Sequence, residues 1–257
     1  MAEKTQEILI RIRQEKPAIL NITNYYATYL IASGLRSINA FPILSNAEQE
    51  IEELLTLAQS VVINLGKLDD CFINLCNRIC QIANKVNKPI ILDPVGAGAS
   101  CYRTNTAVHL IKNHNIAIIR AYPNEIAGLL NRPLSRDHNN KVEHEAAIEQ
   151  ATLLSKKYNV AVVMSGRIHA VIDANQLAQF NFDSSLLQKV AGIASLLSSI
   201  IGAFHAMEEE RFLAASSAVE FYANCAGPAT SRATGPASFK TELIDRLYIN
   251  SSEVRNW

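Results

Sequence analysis

Ile90-Ile91-Leu92-Asp93-Pro94-Val95-Gly96-Ala97-Gly98 decides how this chain is read, because a run of buried-strand residues stops abruptly in a carboxylate, a proline and two glycines. In an open α/β sheet, ligands collect just beyond the carboxyl ends of the strands. An acid delivered there is placed to hold a metal or a hydroxyl. Pro94 blocks continuation of the strand, and the glycines let backbone approach a ligand closely. The alternative is a purely structural turn, which any α/β protein contains.

Outward from this stretch the same rhythm recurs. Pro17 to Ile22, Phe41 to Leu44, Val61 to Leu65, Ile116 to Ile119 and Val160 to Met164 read as strands, with Pro89 to Leu92 among them. Between them Glu48 to Ala58 carries Ile51, Leu54, Leu55 and Ala58 at helical spacing, and Val142 to Lys157 is a further helix. Strands alternating with helices imply a parallel sheet covered by helices. After Ser165-Gly166 the rhythm changes: Ile168 to Ile172 and Gln176 to Phe182, joined through Asp173-Ala174-Asn175, read as a hairpin or edge pair, and the rest is helical in pattern. The best linker candidate, Asn131 to Lys141, is short and leads into a helix of the same rhythm. A single α/β/α domain over residues 1–257 follows.

Lys plus Arg and Asp plus Glu both number 24, so no overall charge suits a nucleic-acid or anionic-membrane surface. Charged residues make up 19%, below the roughly 25% of ordinary soluble domains, which implies that part of the surface is covered by another subunit. Five cysteines, odd in number, behind an opening Met-Ala-Glu-Lys-Thr without an apolar leader lead to the expectation of a reduced, cytoplasmic protein. Phe72, Leu75, Cys76, Ile79, Ala83 and Val86 mark the inner face of one helix, so Cys76 and Cys80 read as small hydrophobes rather than zinc ligands. The six histidines have no ligand spacing and read as structural. Val190 to Met207 lacks charge, but Ser195, Ser198, Ser199 and His205 interrupt it; a helix buried at the centre of a domain explains it better than a membrane span.

No Walker loop, dinucleotide fingerprint or Gly-x-Ser-x-Gly elbow is present. Any phosphate must therefore be met by a helix start and by basic side chains. Asp93 ends one strand, Arg120 and Glu125 follow the next, Ser165-Gly166 a third, and Ala191-Gly192 opens the apolar helix. A parallel sheet brings these points to one rim. Two carboxylates, a guanidinium, a hydroxyl and a helix amino end suit Mg²⁺ and phosphoryl groups. The alternative is that Arg120 and Glu125 merely pair on the surface.

Beyond this chemistry, Ile22-Thr23-Asn24, Pro42, Ala47-Glu48, the block Leu92 to Ala99 with Tyr102-Arg103-Thr104 behind it, Arg120 with Glu125-Ile126, and Gly235-Pro236-Ala237-Ser238-Phe239 resemble the hydroxyethylthiazole kinase family from near Ile12 to about Tyr248. The resemblance implies a ribokinase-like α/β/α sandwich with a mainly parallel central sheet. It further implies Mg²⁺-dependent transfer of phosphate from ATP to the primary alcohol of 4-methyl-5-(2-hydroxyethyl)thiazole, a salvage step towards thiamine, in a homotrimer with active sites between subunits. On that resemblance Arg120 matches the nucleotide-binding arginine, and Ser165 stands where a nucleotide-binding threonine is usual. Asp93 and Glu125 match the acids near metal and phosphates. Gly192 matches a glycine at the substrate alcohol, Leu44 takes the place of a methionine against the thiazole, and Asn24 falls among the substrate-side residues.

The departures gather at the helix start. The family's Thr-Gly-Thr-Gly-Cys is Ala191-Gly192-Ile193-Ala194-Ser195 here, so the catalytic cysteine's position is held by Ser195 and the glycine before it is Ala194. The Asn of Asn-x-x-Glu is Tyr122, Leu20 replaces a histidine, and Tyr29 and Ser33 replace asparagines. A methyl at Ala194 crowds an anion hole, and a hydroxyl is a poor general base. Two functional readings follow: a working kinase, on the thiazole or a related small alcohol, or a pseudoenzyme keeping fold and trimer, with or without ligand binding, and impaired in transfer.

Overall fold

The structure is a computed structural model that describes residues 1–132, 140–181 and 185–252. Residues 133–139, with His138 and most of the candidate linker, lie outside the described residues, as does Phe182.

Eight strands form one sheet: β1 (Ala18–Ile22), β2 (Phe41–Leu44), β3 (Ser60–Asn64), β4 (Ile90–Asp93), β5 (Ile118–Ala121), β6 (Ala161–Met164), β7 (Ile168–Asp173) and β8 (Gln176–Asn181). Their spatial order is β2-β1-β3-β4-β5-β6-β7-β8. The first six are parallel, and β7 and β8 add an antiparallel hairpin at one edge. The chain begins at β1, steps outward to β2, and then crosses back to β3 on β1's other side. The gap between β1 and β3 is thus the point where strand order reverses, the place at which open α/β sheets take their ligands.

Side chains alternate across the strands. Ile19, Val62 and Ile91 face one apolar layer, and Leu20, Val61, Ile63 and Leu92 face the other. On the first side lie α1 (Ala2–Glu15) and α2 (Tyr25–Ser37); on the second lie α3 (Ile51–Leu57), α4 (Asp70–Lys85), α5 (Cys101–Asn113), the short α6 (Pro123–Leu129) and α7 (Asn140–Tyr158). The first side is completed by α8 (Ile193–His205), α9 (Arg211–Arg232) and α10 (Pro236–Ser252). The protein is therefore a single α/β/α domain, as the alternating pattern requires.

The uncharged segment forms α8, buried on all sides against β1, β3, β4, α2 and α9. Leu196, Ile200, Ile201 and Phe204 have no exposed surface; each contributes about 1.5–3 kcal/mol by burial. Ser60 Oγ donates to the Gly202 carbonyl at 2.9 Å, pinning the helix to β3. Among the described residues no helix is long and apolar enough to cross a membrane.

Two local readings are refined. The helix expected from Glu48 starts as a single 3₁₀ turn over Glu48–Glu50 before α3. The apolar stripe of α4 ends at Ala83, because Val86 is its C-terminal cap and is exposed. Cys76 and Cys80 sit on the buried face of α4, where burial pushes both thiols up, Cys80 to about 12, so they act as apolar filling.

Candidate active site

Asp93 is the last residue of β4 and has no exposed surface. Arg120, in β5, is 1% exposed and reaches it: Nη1 donates to Asp93 Oδ1 at 3.4 Å, and Nε donates to Ser165 Oγ at 3.0 Å. The Tyr122 ring covers the guanidinium, 4.3 Å from its carbon to the ring centroid. Three strand ends thus hold one arginine rigidly. Burial raises the Asp93 carboxyl above its usual range, with the nearby Arg120 charge and the hydrogen bonds opposing. Burial opposes the Arg120 charge in turn, yet Asp93, Tyr122 and Glu125 carry its pKa upward, so the guanidinium stays charged.

The second oxygen of Asp93 is shared. Asn64, the last residue of β3, donates through Nδ2 at 2.9 Å, and Ser198 on α8 donates at 3.0 Å. Asn64 Nδ2 also donates to Ser195 Oγ at 3.1 Å, while Asn64 Oδ1 accepts the Gly66 N–H at 2.9 Å and Asn24 Nδ2 at 3.4 Å. Asn24 is the N-cap of α2, accepting the amides of Tyr26 and Ala27. A buried polar chain therefore runs from α2 across the switch point to α8.

Gly192 caps α8 with φ +87, in the left-handed region where a side chain is strained. A Cβ there would also come 3.2 Å from the Ala27 Cα. The first intrahelical bond of α8 is made by Leu196 N–H to the Gly192 carbonyl, so the amides of Ala194 and Ser195 have no helical acceptor. These donors and the helix dipole suit an anion. A cavity of about 250 Å³ opens at this point, lined among others by Arg120, Tyr122, Ser165, His169, Ala194 and Tyr222. His169 also lines this cavity, where burial and the Arg120 charge lower its pKa to about 3 and keep it neutral.

The glycine turn after β4 has a different role from the one first drawn. A Cβ on Gly98 (φ +88) would lie 3.2 Å from the Asn124 carbonyl oxygen and from the Gly128 Cα, so the close backbone approach it permits is to α6. Arg103 staples the same region by donating to the carbonyls of Leu65, Val95 and Gly66. Glu125 is buried and makes no surface pair with Arg120. Its two oxygens accept the amides of Gly96 at 2.9 Å and Tyr122 at 2.8 Å, tying the two loops together. Burial raises its pKa, against those two amide bonds.

With all four oxygens of Asp93 and Glu125 engaged inside the protein, the pair does not fit a Mg²⁺ ion held directly by carboxylates. Among the described residues no group of three His, Cys, Asp or Glu side chains is placed to hold a metal. The cavity does fit phosphate: a fixed guanidinium, a hydroxyl and helix-start amides line it, and among the described residues no acid does.

Of the expected residues, the fold brings Arg120, Ser165 and Ala194 to one cavity, joins Asp93 to it behind Arg120, and links Asp93 to Ser195 through Asn64. Asn24 lies on the other side of that amide, and Gly192 sits against α2. Leu44 ends β2, half-buried, and packs against the core layer that contains α8. Sequence reasoning missed Asn64, Ser198, Tyr122 as a contact of Arg120, and His169. Asn64 had a signal: a lone amide closing an otherwise apolar strand.

A family model described as the hydroxyethylthiazole kinase family matches residues 9–253. Hydroxyethylthiazole kinase of Brachyspira hyodysenteriae is 33% identical over 252 residues, 96% of this chain and 95% of that protein. The one from Chlamydia abortus is 34% identical over 261 residues, covering 100% of this chain and 99% of its own. The solved hydroxyethylthiazole kinase structure from Pyrococcus horikoshii superimposes with a TM-score of 0.89 at 30% identity, over 99% of this chain and 97% of that one. A ribokinase-like superfamily protein from Enterococcus faecalis shares the fold at a TM-score of 0.68 and 12% identity, covering 97% and 94%.

Proposed function

The chain belongs to the hydroxyethylthiazole kinase family, and from that premise we propose that it moves the terminal phosphoryl group of ATP to the primary alcohol of 4-methyl-5-(2-hydroxyethyl)thiazole or a close relative, a thiamine-salvage step. The observation that carries this reading is the buried Arg120, held by Asp93 and Ser165 and covered by Tyr122, on the wall of a cavity that also receives the start of α8.

In phosphoryl transfer the protein positions groups and neutralises charge rather than supplying covalent chemistry. Arg120 meets the anionic oxygens, Ser165 keeps its fork aligned, and the amides of Ala194 and Ser195 complete the cradle. Gly192, Asn24 and Leu44 face the acceptor. Mg²⁺ would enter with the nucleotide's phosphates, as this ion ordinarily does; Asp93 and Glu125 act through the protein, Asp93 by holding Arg120 and Glu125 by tying the two loops together. We further assign a cytoplasmic homotrimer. Tyr25, Tyr26 and Tyr29 on α2 are 77%, 89% and 71% exposed, a surface that a second copy would cover.

One observation favours the second reading of impaired transfer: the Ala194 residue, where the family carries glycine, lines the phosphate cavity. A single assay separates the two. Purified protein is incubated with Mg-ATP and a panel of small alcohols including the thiazole, with ADP release and product mass both followed. Acceptor-dependent ADP and a phosphorylated product support the kinase. Mg-ATP binding with no product on any acceptor supports the impaired chain, and absence of nucleotide binding in calorimetry at about millimolar ATP, an affinity floor near 4 kcal/mol, refutes the kinase and favours the impaired chain.

A further inference from the structure

The orientation of the Asn64 amide is dictated by its neighbours. Its Oδ1 must face the Gly66 N–H, which can only donate, and its Nδ2 must face the Asp93 carboxylate, which accepts. A flipped amide would set donor against donor and acceptor against acceptor. Ser195 Oγ lies beside Nδ2 and therefore accepts from it. A serine hydroxyl has one hydrogen. The neighbouring serines of α8 have spent theirs: Ser198 on Asp93 and the Ala194 carbonyl, Ser199 on Asn21 Oδ1 and the Ser195 carbonyl. Among the described residues nothing accepts the Ser195 hydrogen, although the residue is only 8% exposed, one position from the cavity wall at Ala194.

We infer that Ser195 serves the reaction as a hydrogen-bond donor to the phosphoryl group in transfer, and that Asn64 is the positioning residue that imposes this polarity. This rests on the kinase reading above. Proton acceptance by residue 195 is unnecessary here: in a loose transfer the bond from phosphorus to the ADP oxygen breaks as the alcohol oxygen bonds, and the alcohol's proton leaves late, onto a phosphoryl oxygen, so positioning and charge stabilisation matter more than a base. What the helix start lacks in a catalytic cysteine it replaces with an oriented O–H.

The test uses Mg-ADP with aluminium fluoride, which stands in for the transferred phosphoryl group, and Mg-ADP alone, both measured by calorimetry on wild type, Ser195→Ala, Asn64→Ala and the double variant. Ser195→Ala is expected to weaken the fluoride complex about tenfold, the loss of one hydrogen bond to a charged acceptor, and to leave Mg-ADP unchanged. Asn64→Ala is expected to weaken the fluoride complex too, and to cost nothing further once Ser195 is alanine. A purely structural Asn64 would instead weaken both ligands and act equally in either background; that result overturns the proposal, as does equal fluoride binding by Ser195→Ala and wild type. Failure of the kinase reading registers separately, as absence of product in the acceptor assay while the binding cycle still reports on Ser195.

Discussion

Replacing Arg120 by methionine removes the only cation bonded to Asp93 among the described residues, and it does so where neither partner touches water. At 3.4 Å and an effective dielectric near 20, the pair's attraction is about 5 kcal/mol, most of which offsets the cost of burying two charges. Breaking one side of such a pair typically costs about 3–5 kcal/mol, because the orphaned charge stays buried. Asn64 and Ser198 continue to donate to Asp93, so the lower half of that range is expected. The sign with pH follows from the carboxyl. A buried acid whose folded pKa lies above its unfolded value binds more protons folded than unfolded, so stability falls as pH rises through that window and recovers on acidification. Loss of Arg120 lifts the folded pKa of Asp93 further. The difference in urea midpoint between Arg120→Met and wild type should thus be widest near about pH 8 and narrow towards about pH 5, approaching the ordinary carboxylate range. His169 and Glu125, which also feel the guanidinium, shift the comparison in the same direction. The decisive control is therefore Asp93→Asn in the Arg120→Met background, which should restore a large part of the lost stability at the upper pH. A deficit that is flat with pH and untouched by Asp93→Asn would show that Arg120 matters through packing, and that the charge pair is not what organises the site.

Gly192→Ala should destabilise by about 1–2 kcal/mol from left-handed strain alone, with further loss from the contact at Ala27; thermal melts should show it, and an unchanged melting temperature would place the helix start elsewhere. Wild type should scatter light as the proposed trimer and Tyr26→Glu with Tyr29→Glu as a monomer with an intact far-ultraviolet spectrum, since neither ring belongs to the core; a monomeric wild type would refute the assembly. A thiol reagent should react quickly with Cys71 and Cys101, which are exposed, and with Cys76, Cys80 and Cys225 only on unfolding, since burial raises all three thiols; five fast thiols in the native state would contradict the packing of α4 and α9.

The strand-and-helix rhythm was readable because period 2 and period 3.6 record which side of each segment leaves water. Residue for residue, β2 falls where the apolar run Phe41 to Leu44 predicted, and the uncharged segment after Val190 is the buried α8. The motif around Asp93 was equally plain, though Gly98 faces α6 and Gly96 the Arg103 side chain rather than a ligand. Glu125 shows where such reading stops: its type and spacing suggested a free acid, whereas the fold spends both of its oxygens on backbone amides.

The sequence by itself determined the layered α/β architecture, the family, and which acidic, basic and small residues end up at the strand tips, since each of these is written in local periodicity and composition. Only the tertiary structure decided which atoms meet. Asn64 is 29 residues from Asp93 and 131 from Ser195, and their convergence depends on the crossing from β2 to β3 and on how closely α8 settles against the sheet. Hydrogen bonds are satisfied over a few tenths of an ångström and in one direction, and no local pattern in a chain specifies distance or direction between segments that far apart.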